Sequence, residues 1–327
     1  MEPTPEVLSD IHRRMVRIRL FEEAAGRLAE AAKLPGFLHL YVGEEAVAAG
    51  VCVHLSNDDH ITSTHRGHGH LVAKGGLFRP MMAELMAKST GYCKGKGGSM
   101  HISSLELGML GANGIVGAGS PIAVGAAFTN KYKGKGNVAV AFFGDGATNI
   151  GAFHEAANMA CALKLPIVFM CENNEFGEFT RRDKTMAITD IVDRAQGYGM
   201  PGVICDGMDA VAVWEAAGEA IAHARAGRGP TLVEAKTYRF YNHHGVQNLG
   251  LKYRTDDEVD VWKKRDPIML LEARMAEGAL MTADQARIVW DRERADIDDA
   301  IAFAEESPVP TPDQILADVY TVMGAAT

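Results

Sequence analysis

Basic charge is what this 327-residue chain most plainly lacks: 33 Lys and Arg stand against 42 Asp and Glu, a formal net charge of -9. A surface of that sign repels phosphate backbones, so no nucleic-acid partner is expected. No uncharged apolar run reaches the roughly 18 residues that a membrane-spanning helix needs, so no membrane partner is expected either. The opening Met1-Glu2-Pro3-Thr4-Pro5-Glu6 has neither the basic cluster nor the apolar stretch of a secretory signal, and a cytoplasmic protein is predicted. Cysteine is sparse: Cys52, Cys93, Cys161, Cys171 and Cys205 are odd in number, far apart and without a C-x-x-C pair. That pattern argues against zinc or redox work and predicts reduced, mostly buried thiols. Internal repeats and a linker long enough to separate two domains are missing as well.

With 47% hydrophobic and 23% charged residues the chain can bury a large core. From about residue 135, short apolar runs alternate with helical stretches, as in a parallel sheet covered on both faces. Strands are predicted at 138–143, 167–171 and 231–235. Helices are predicted at 149–163 and 208–226, the latter with Val211, Trp214, Gly218 and Ile221 on one face. Upstream, 5–33 and 79–88 read as helices, with Met81, Met82, Leu85 and Met86 as core or subunit contact. Ser120-Pro121 reads as an N-cap and first helical position for a helix over 121–132. The glycine-rich segment 91–119 reads as a functional loop. After about residue 256 the chain turns helical and charged, with Asp256-Asp257-Glu258 and 290–305 expected on solvated faces, then Pro-rich over 307–312 before an apolar tail. The whole reads as one α/β domain over 1–327, with a helical arm over about 1–35 and a helical C-terminal extension over about 256–327.

The chemistry concentrates where the first strand runs into Gly144-Asp145-Gly146-Ala147-Thr148-Asn149. Backbone N–H groups at a strand-to-helix turn welcome an anion, and the aspartate there opposes one unless a divalent cation lies between. The second strand ends in Glu172-Asn173-Asn174. Parallel neighbours would set Asn174 beside Asp145, and the two oxygens suit magnesium, which prefers few protein ligands plus phosphates. Gly-Asp-Gly, 26 residues, then Asn-Asn is far more specific than the turn alone.

That spacing resembles the thiamine-diphosphate motif. Together with Ser63-Thr64-His65-Arg66-Gly67-His68-Gly69-His70, Gly97-Gly98-Ser99-Met100-His101, the 111–119 segment and Thr237-Tyr238-Arg239-Phe240-Tyr241, it makes most of the chain resemble one family. This is the α subunit of the decarboxylating component of 2-oxo acid and acetoin dehydrogenase complexes, with 109–119 closer in look to acetoin than to pyruvate dehydrogenase. The resemblance implies a thiamine-diphosphate-binding α/β fold and magnesium held by Asp145, Asn174 and the Phe176 carbonyl. It implies diphosphate contacts from Arg66, Gly146 and Ala147, and from His65, which stands where relatives often have tyrosine. It also implies that Gly114 and Val116 line the cofactor, Val116 favouring its bent form.

The resemblance further implies catalytic roles for His243, a cofactor neighbour on a mobile loop, and for His68. A zinc site over His65, His68 and His70 is disfavoured because no H-E-x-x-H helix or cysteine pair accompanies them. His101 could face the cofactor or simply pack, and the role of His244 stays open. Lys94-Gly95-Lys96-Gly97-Gly98-Ser99 lacks the order of a nucleotide loop. A serine phosphorylation motif found in some relatives is absent from the 242–251 loop, so no such regulation is expected. The chain leaves no room for the second α/β domain that carries the activating glutamate in single-chain relatives, so a β subunit supplying it in an α2β2 assembly is expected. The expected reaction cleaves acetoin or a 2-oxo acid such as pyruvate and passes the product to a lipoyl acyltransferase. A split transketolase-like enzyme and a non-enzymatic cofactor-binding scaffold are the rival readings.

Overall fold

The computed structural model describes residues 2–245, 252–314 and 317–318; the rest of the 242–251 loop and of the apolar tail lie outside the described residues. The chain enters through α1 (Pro5–Glu30), where the Thr4 hydroxyl accepts from the Val7 N–H and Pro5 fills a position whose N–H would go unused. α2 (Glu45–Cys52), strand β1 (His60–Thr62), α3 (Gly67–Ala73) and α4 (Phe78–Leu85) follow. The glycine-rich loop then runs to α5 (Gly119–Lys133), β2 (Ala139–Gly144), α6 (Gly151–Ala162) and β3 (Ile167–Asn173). A small hairpin, β4 (Phe176–Gly177) and β5 (Thr180–Arg181), leads through α7 (Arg194–Tyr198) to β6 (Gly202–Asp206), α8 (Ala210–Arg225) and β7 (Thr231–Lys236). α9 (Asp256–Lys263), α10 (Pro267–Glu277) and α11 (Ala283–Glu306) close the chain.

The main sheet has the order β1-β2-β3-β7-β6, every neighbour parallel. Alternate residues of its strands enter two separate cores, as the two-residue period of a strand requires. Val138, Val140, Phe142, Val168 and Met170 join a core with α1, α2, α3 and α8. Ala139, Ala141, Phe143, Ile167, Phe169 and Cys171 join a second with α5 and α6. The expected α/β class, a parallel sheet with helices on both faces, is what the chain adopts.

Several local expectations are corrected. β1 and β6 went unpredicted: β1 is only three residues long, and β6 has a mostly accessible edge instead of a continuous apolar run. Ser120 is not an N-cap; α5 starts at Gly119, and the Ser120 hydroxyl is buried without a partner in the first turn. α8 starts at Ala210, its first turn capped by Asp209, and the face it buries most deeply carries Val213, Ala217 and Ala224, with Trp214 on the flank stacked on His54. All five cysteines are free, and Cys52, Cys171 and Cys205 are buried.

The stretch 290–305 is not wholly solvated. Glu293 of α11 is fully buried and accepts from Arg13 Nε at 2.6 Å and from Arg17 at 2.5 Å, both on α1. The helical period set this carboxylate inward although its neighbours face water. Glu293→Ala would remove the buried carboxylate shared by Arg13 and Arg17, leaving Arg17 with the more distant Asp296 at 4.0 Å, and should cost about 3 kcal/mol in denaturant unfolding. Asp299→Ala, which breaks the exposed pair with Arg79, should cost less than about 1 kcal/mol. Equal effects from the two variants would contradict this placement.

Candidate active site

Where the carboxyl ends of β1, β2, β3 and β7 meet, the chain leaves a cleft of about 430 Å³. Open parallel sheets bind ligands at such an edge, because the turns leaving neighbouring strands emerge there together. β2 and β3 pair with Gly144 opposite Glu172, so the turns carrying Asp145 and Asn174 leave the sheet at the same level, and both residues line the cleft. Gly146 is required by close approach: a Cβ there would lie 3.2 Å from the Gly177 Cα on the facing hairpin.

Asp145 is 1% exposed, and among the described residues neither of its carboxylate oxygens has a hydrogen-bond partner. Burial pushes its pKa up to about 6, against the opposing pull of Arg239. Asn174 is fixed at both ends of its amide, donating to Glu44 Oε1 at 3.0 Å and accepting from the Phe176 N–H at 3.3 Å. The carboxylate, the amide oxygen and the Phe176 carbonyl are hard oxygen donors, the kind magnesium takes.

The same cleft holds two buried guanidiniums. Arg66 donates to the Leu40 carbonyl at 2.9 Å and to the His243 carbonyl and Nδ1, each at 3.1 Å. Arg239 donates to His243 Nδ1 at 3.0 Å and to the Glu178 carbonyl at 3.1 Å, and its Nε is buried without a partner. Among the described residues neither forms an ion pair. Burial and their mutual repulsion push Arg66 down to about 9. Buried cations without counter-ions are costly, and an anion relieves them. An unpaired carboxylate and two unpaired guanidiniums in one cleft together fit a magnesium-bound diphosphate.

The histidines regroup in a way the sequence did not suggest. His65, His68 and His70 do not converge. His68 is fully buried, bonded at Nδ1 to Glu22 and at Nε2 to Ser99, and does not line the cleft where its expected catalytic role would place it. His65 precedes α3, and on that helix the His68 and His70 side chains, two positions apart, point in different directions. His70 spans Ser63 and Glu172. His65 and His243 do line the cleft, joined by His39, with ring centroids 4.7 Å (His39–His65), 4.9 Å (His39–His243) and 5.1 Å (His65–His243) apart.

Nitrogens of His39, His243 and His244 lie within 4.8 Å of one another, close enough for a metal. The field is wrong for one: two guanidiniums donate to His243 Nδ1, which places the ring proton on Nε2. Burial and Arg66 also push His39 down to about 2 and hold His65 and His243 well below the usual histidine range. These rings form a neutral wall that can exchange hydrogen bonds but adds no charge.

Gly114 and Val116 line the cleft mouth, Val116 with 48% of its surface exposed, while Ala147 is buried at the floor. His101 is exposed, its ring 3.5 Å from where a Gly114 Cβ would stand. Sequence reasoning missed His39, although a histidine inside the apolar run Leu38-His39-Leu40-Tyr41 was a signal. It also assigned no role to Arg239, and none to Glu44 or Glu172, whose burial no pattern announces.

Comparison with known proteins agrees with this geometry. A family model described as "Dehydrogenase E1 component" matches residues 13–313. The chain is 49% identical over 311 residues to the α subunit of acetoin:2,6-dichlorophenolindophenol oxidoreductase of Bacillus subtilis, covering 95% of this chain and 92% of that protein. It is 46% identical to the protein of the same name from Cupriavidus necator, covering 96% and 94%. Identity to the pyruvate dehydrogenase E1 component subunit alpha of Rhizobium meliloti is 40%, covering 94% and 88%.

An ionised carboxylate buried without a partner destabilises the free chain. Because the folded pKa of Asp145 (about 6) lies above the ordinary 3.8, the folded state binds more protons between those values, and stability falls as pH rises through that window. Asp145→Asn removes this term. In the cofactor-free chain it should raise stability by up to about 2 kcal/mol above pH 7 and make little difference below pH 4, measured by denaturant unfolding across pH. A loss of stability at pH 8 would show that the carboxylate has a partner after all.

Proposed function

The chain belongs to the dehydrogenase E1 component family, and from that membership we propose that it is the α subunit of a thiamine-diphosphate- and magnesium-dependent acetoin-cleaving oxidoreductase. The observation that carries this reading is the conjunction, in one cleft, of a buried carboxylate with two buried guanidiniums, none of which has an oppositely charged hydrogen-bond partner among the described residues. Asp145, Asn174 and the Phe176 carbonyl would hold magnesium. Arg66 and Arg239 would meet the diphosphate, with Gly146 and Ala147 letting it approach the backbone and Gly114 and Val116 flanking the rest of the cofactor. When bound, thiamine diphosphate supplies a nucleophilic carbon and an electron sink for breaking the bond beside a substrate carbonyl.

The chain's own residues do the positioning. Arg66 and Arg239 fix the His243 ring and its tautomer, so that its proton sits on Nε2, available for donation near a reacting oxygen. With the guanidiniums engaged by diphosphate, the neutral rings of His39, His65 and His243 suit an uncharged hydroxy-ketone better than a carboxylate substrate. The relatives named for acetoin, at 49% and 46%, against 40% for the one named for pyruvate, support the same choice. A β subunit would bring the glutamate that activates the cofactor, in an α2β2 enzyme of the cytoplasm, and a lipoyl acyltransferase would accept the product.

The test is acetoin-dependent reduction of 2,6-dichlorophenolindophenol by the chain alone and with a co-expressed β-type subunit, each with and without thiamine diphosphate and magnesium. Turnover is expected only from the mixture with both additives. Asp145→Ala should lower cofactor affinity and turnover together, by at least about 100-fold. Turnover by the lone chain would refute the need for a partner, preference for pyruvate would move the substrate to the 2-oxo acids, and activity on sugar phosphates would favour a transketolase-like enzyme.

A further inference from the structure

The segment from residue 91 to 100 has no core of its own: none of its residues is buried. It nevertheless follows a tightly defined path, with positive φ at Lys94, Gly95 and Gly98. What stands at its centre is a side chain from another element, Glu84 near the end of α4, which is fully buried. Glu84 Oε2 accepts from the N–H groups of Cys93 at 2.8 Å and Gly95 at 2.9 Å. Oε1 accepts from those of Gly97 at 2.8 Å and Gly98 at 3.0 Å. Four amides converge on one carboxylate, the arrangement a glycine-rich loop otherwise offers to a phosphate. Here the protein supplies the anion itself, so the Lys94–Ser99 stretch has no amides to spare for a nucleotide.

The loop matters because of what it carries. Directly after the clamped amides come Ser99, whose hydroxyl donates to His68 Nε2 at 3.0 Å, with His68 held in turn by Glu22, and Met100, which lines the cleft. Gly91 shows how closely the carboxylate is enclosed: a Cβ there would fall 2.3 Å from Glu84 Oε2 and 2.6 Å from the Glu84 Cα.

We propose that Glu84 is a positioning residue for the active-site cleft, its carboxylate serving as the internal anion around which the 93–98 loop folds, so that Ser99 is anchored on His68 and Met100 is set as part of the wall of the cofactor site. This rests on the reading of the cleft as a thiamine-diphosphate site. Glu84 does not itself line the cleft; it acts through the loop.

Glu84→Gln keeps the shape but leaves one acceptor oxygen and turns an NH2 toward two donors. In the assembled α/β enzyme it should speed hydrogen exchange at the amides of Cys93, Gly95, Gly97 and Gly98 at least about tenfold, the equivalent of one lost hydrogen bond to a charged group, with β2 and β3 unchanged. The dissociation constant for thiamine diphosphate with magnesium should rise by a similar factor, while turnover at saturating cofactor changes far less. Glu84→Asp, which keeps the charge but draws the carboxylate back by one methylene, should move both readings in the same direction and serves if Glu84→Gln folds poorly. The proposal fails if those four amides stay protected, if they exchange faster while cofactor affinity is unchanged, or if exchange rises equally throughout the sheet in both variants. Failure of the unsubstituted enzyme to bind thiamine diphosphate would overturn the reading of the site instead, and the exchange result would still decide whether Glu84 organises the loop.

Discussion

The arrangement on which the rest depends is a set of charges buried without being neutralised by one another. Among the described residues Asp145 has no partner for either oxygen, and Arg66 and Arg239 donate to carbonyls and an imidazole and form no ion pair. Other buried charges are paired, Arg19 with Glu45 and Asp266 and Glu293 with Arg13 and Arg17, or are met by backbone groups, as Glu84 is by four amides. The contrast locates the site. A fold tolerates unpaired buried ions only where the surrounding structure holds them in place, and the proposed magnesium diphosphate would supply both missing counter-charges at once.

Holding those charges is the work of the sheet. Parallel pairing of β2 with β3 brings two turns out at one level, and the strand period sends alternate side chains into two cores that fix the sheet from both faces. With the strands packed in this way, Asp145 cannot retreat to water and Asn174 is kept by Glu44 and the Phe176 amide. The guanidiniums also orient His243 and keep the surrounding rings neutral, so the charges of the cleft set the hydrogen-bonding character of its histidine wall.

Glycine-rich segments serve two different purposes in this chain. At 144–146 glycine allows the facing hairpin to come close to the backbone. At 91–98 it allows the backbone to wrap around a carboxylate from α4. The two look alike in composition and differ in what occupies the hollow.

The sequence by itself determined the class of fold, three of the five main-sheet strands, and the Gly144 to Asn174 spacing, because strand period and turn chemistry are local properties of consecutive residues. It also carried the family resemblance. Only the tertiary structure decided that His68 is walled in by Glu22 and Ser99, that His39 joins His65 and His243, that Glu293 faces inward among charged neighbours, and that Glu84 turns from its helix face to become the anion inside the loop that follows. Each of those outcomes is a meeting of residues far apart in the chain or a choice of helix face, and long-range packing, which no local pattern encodes, settles both.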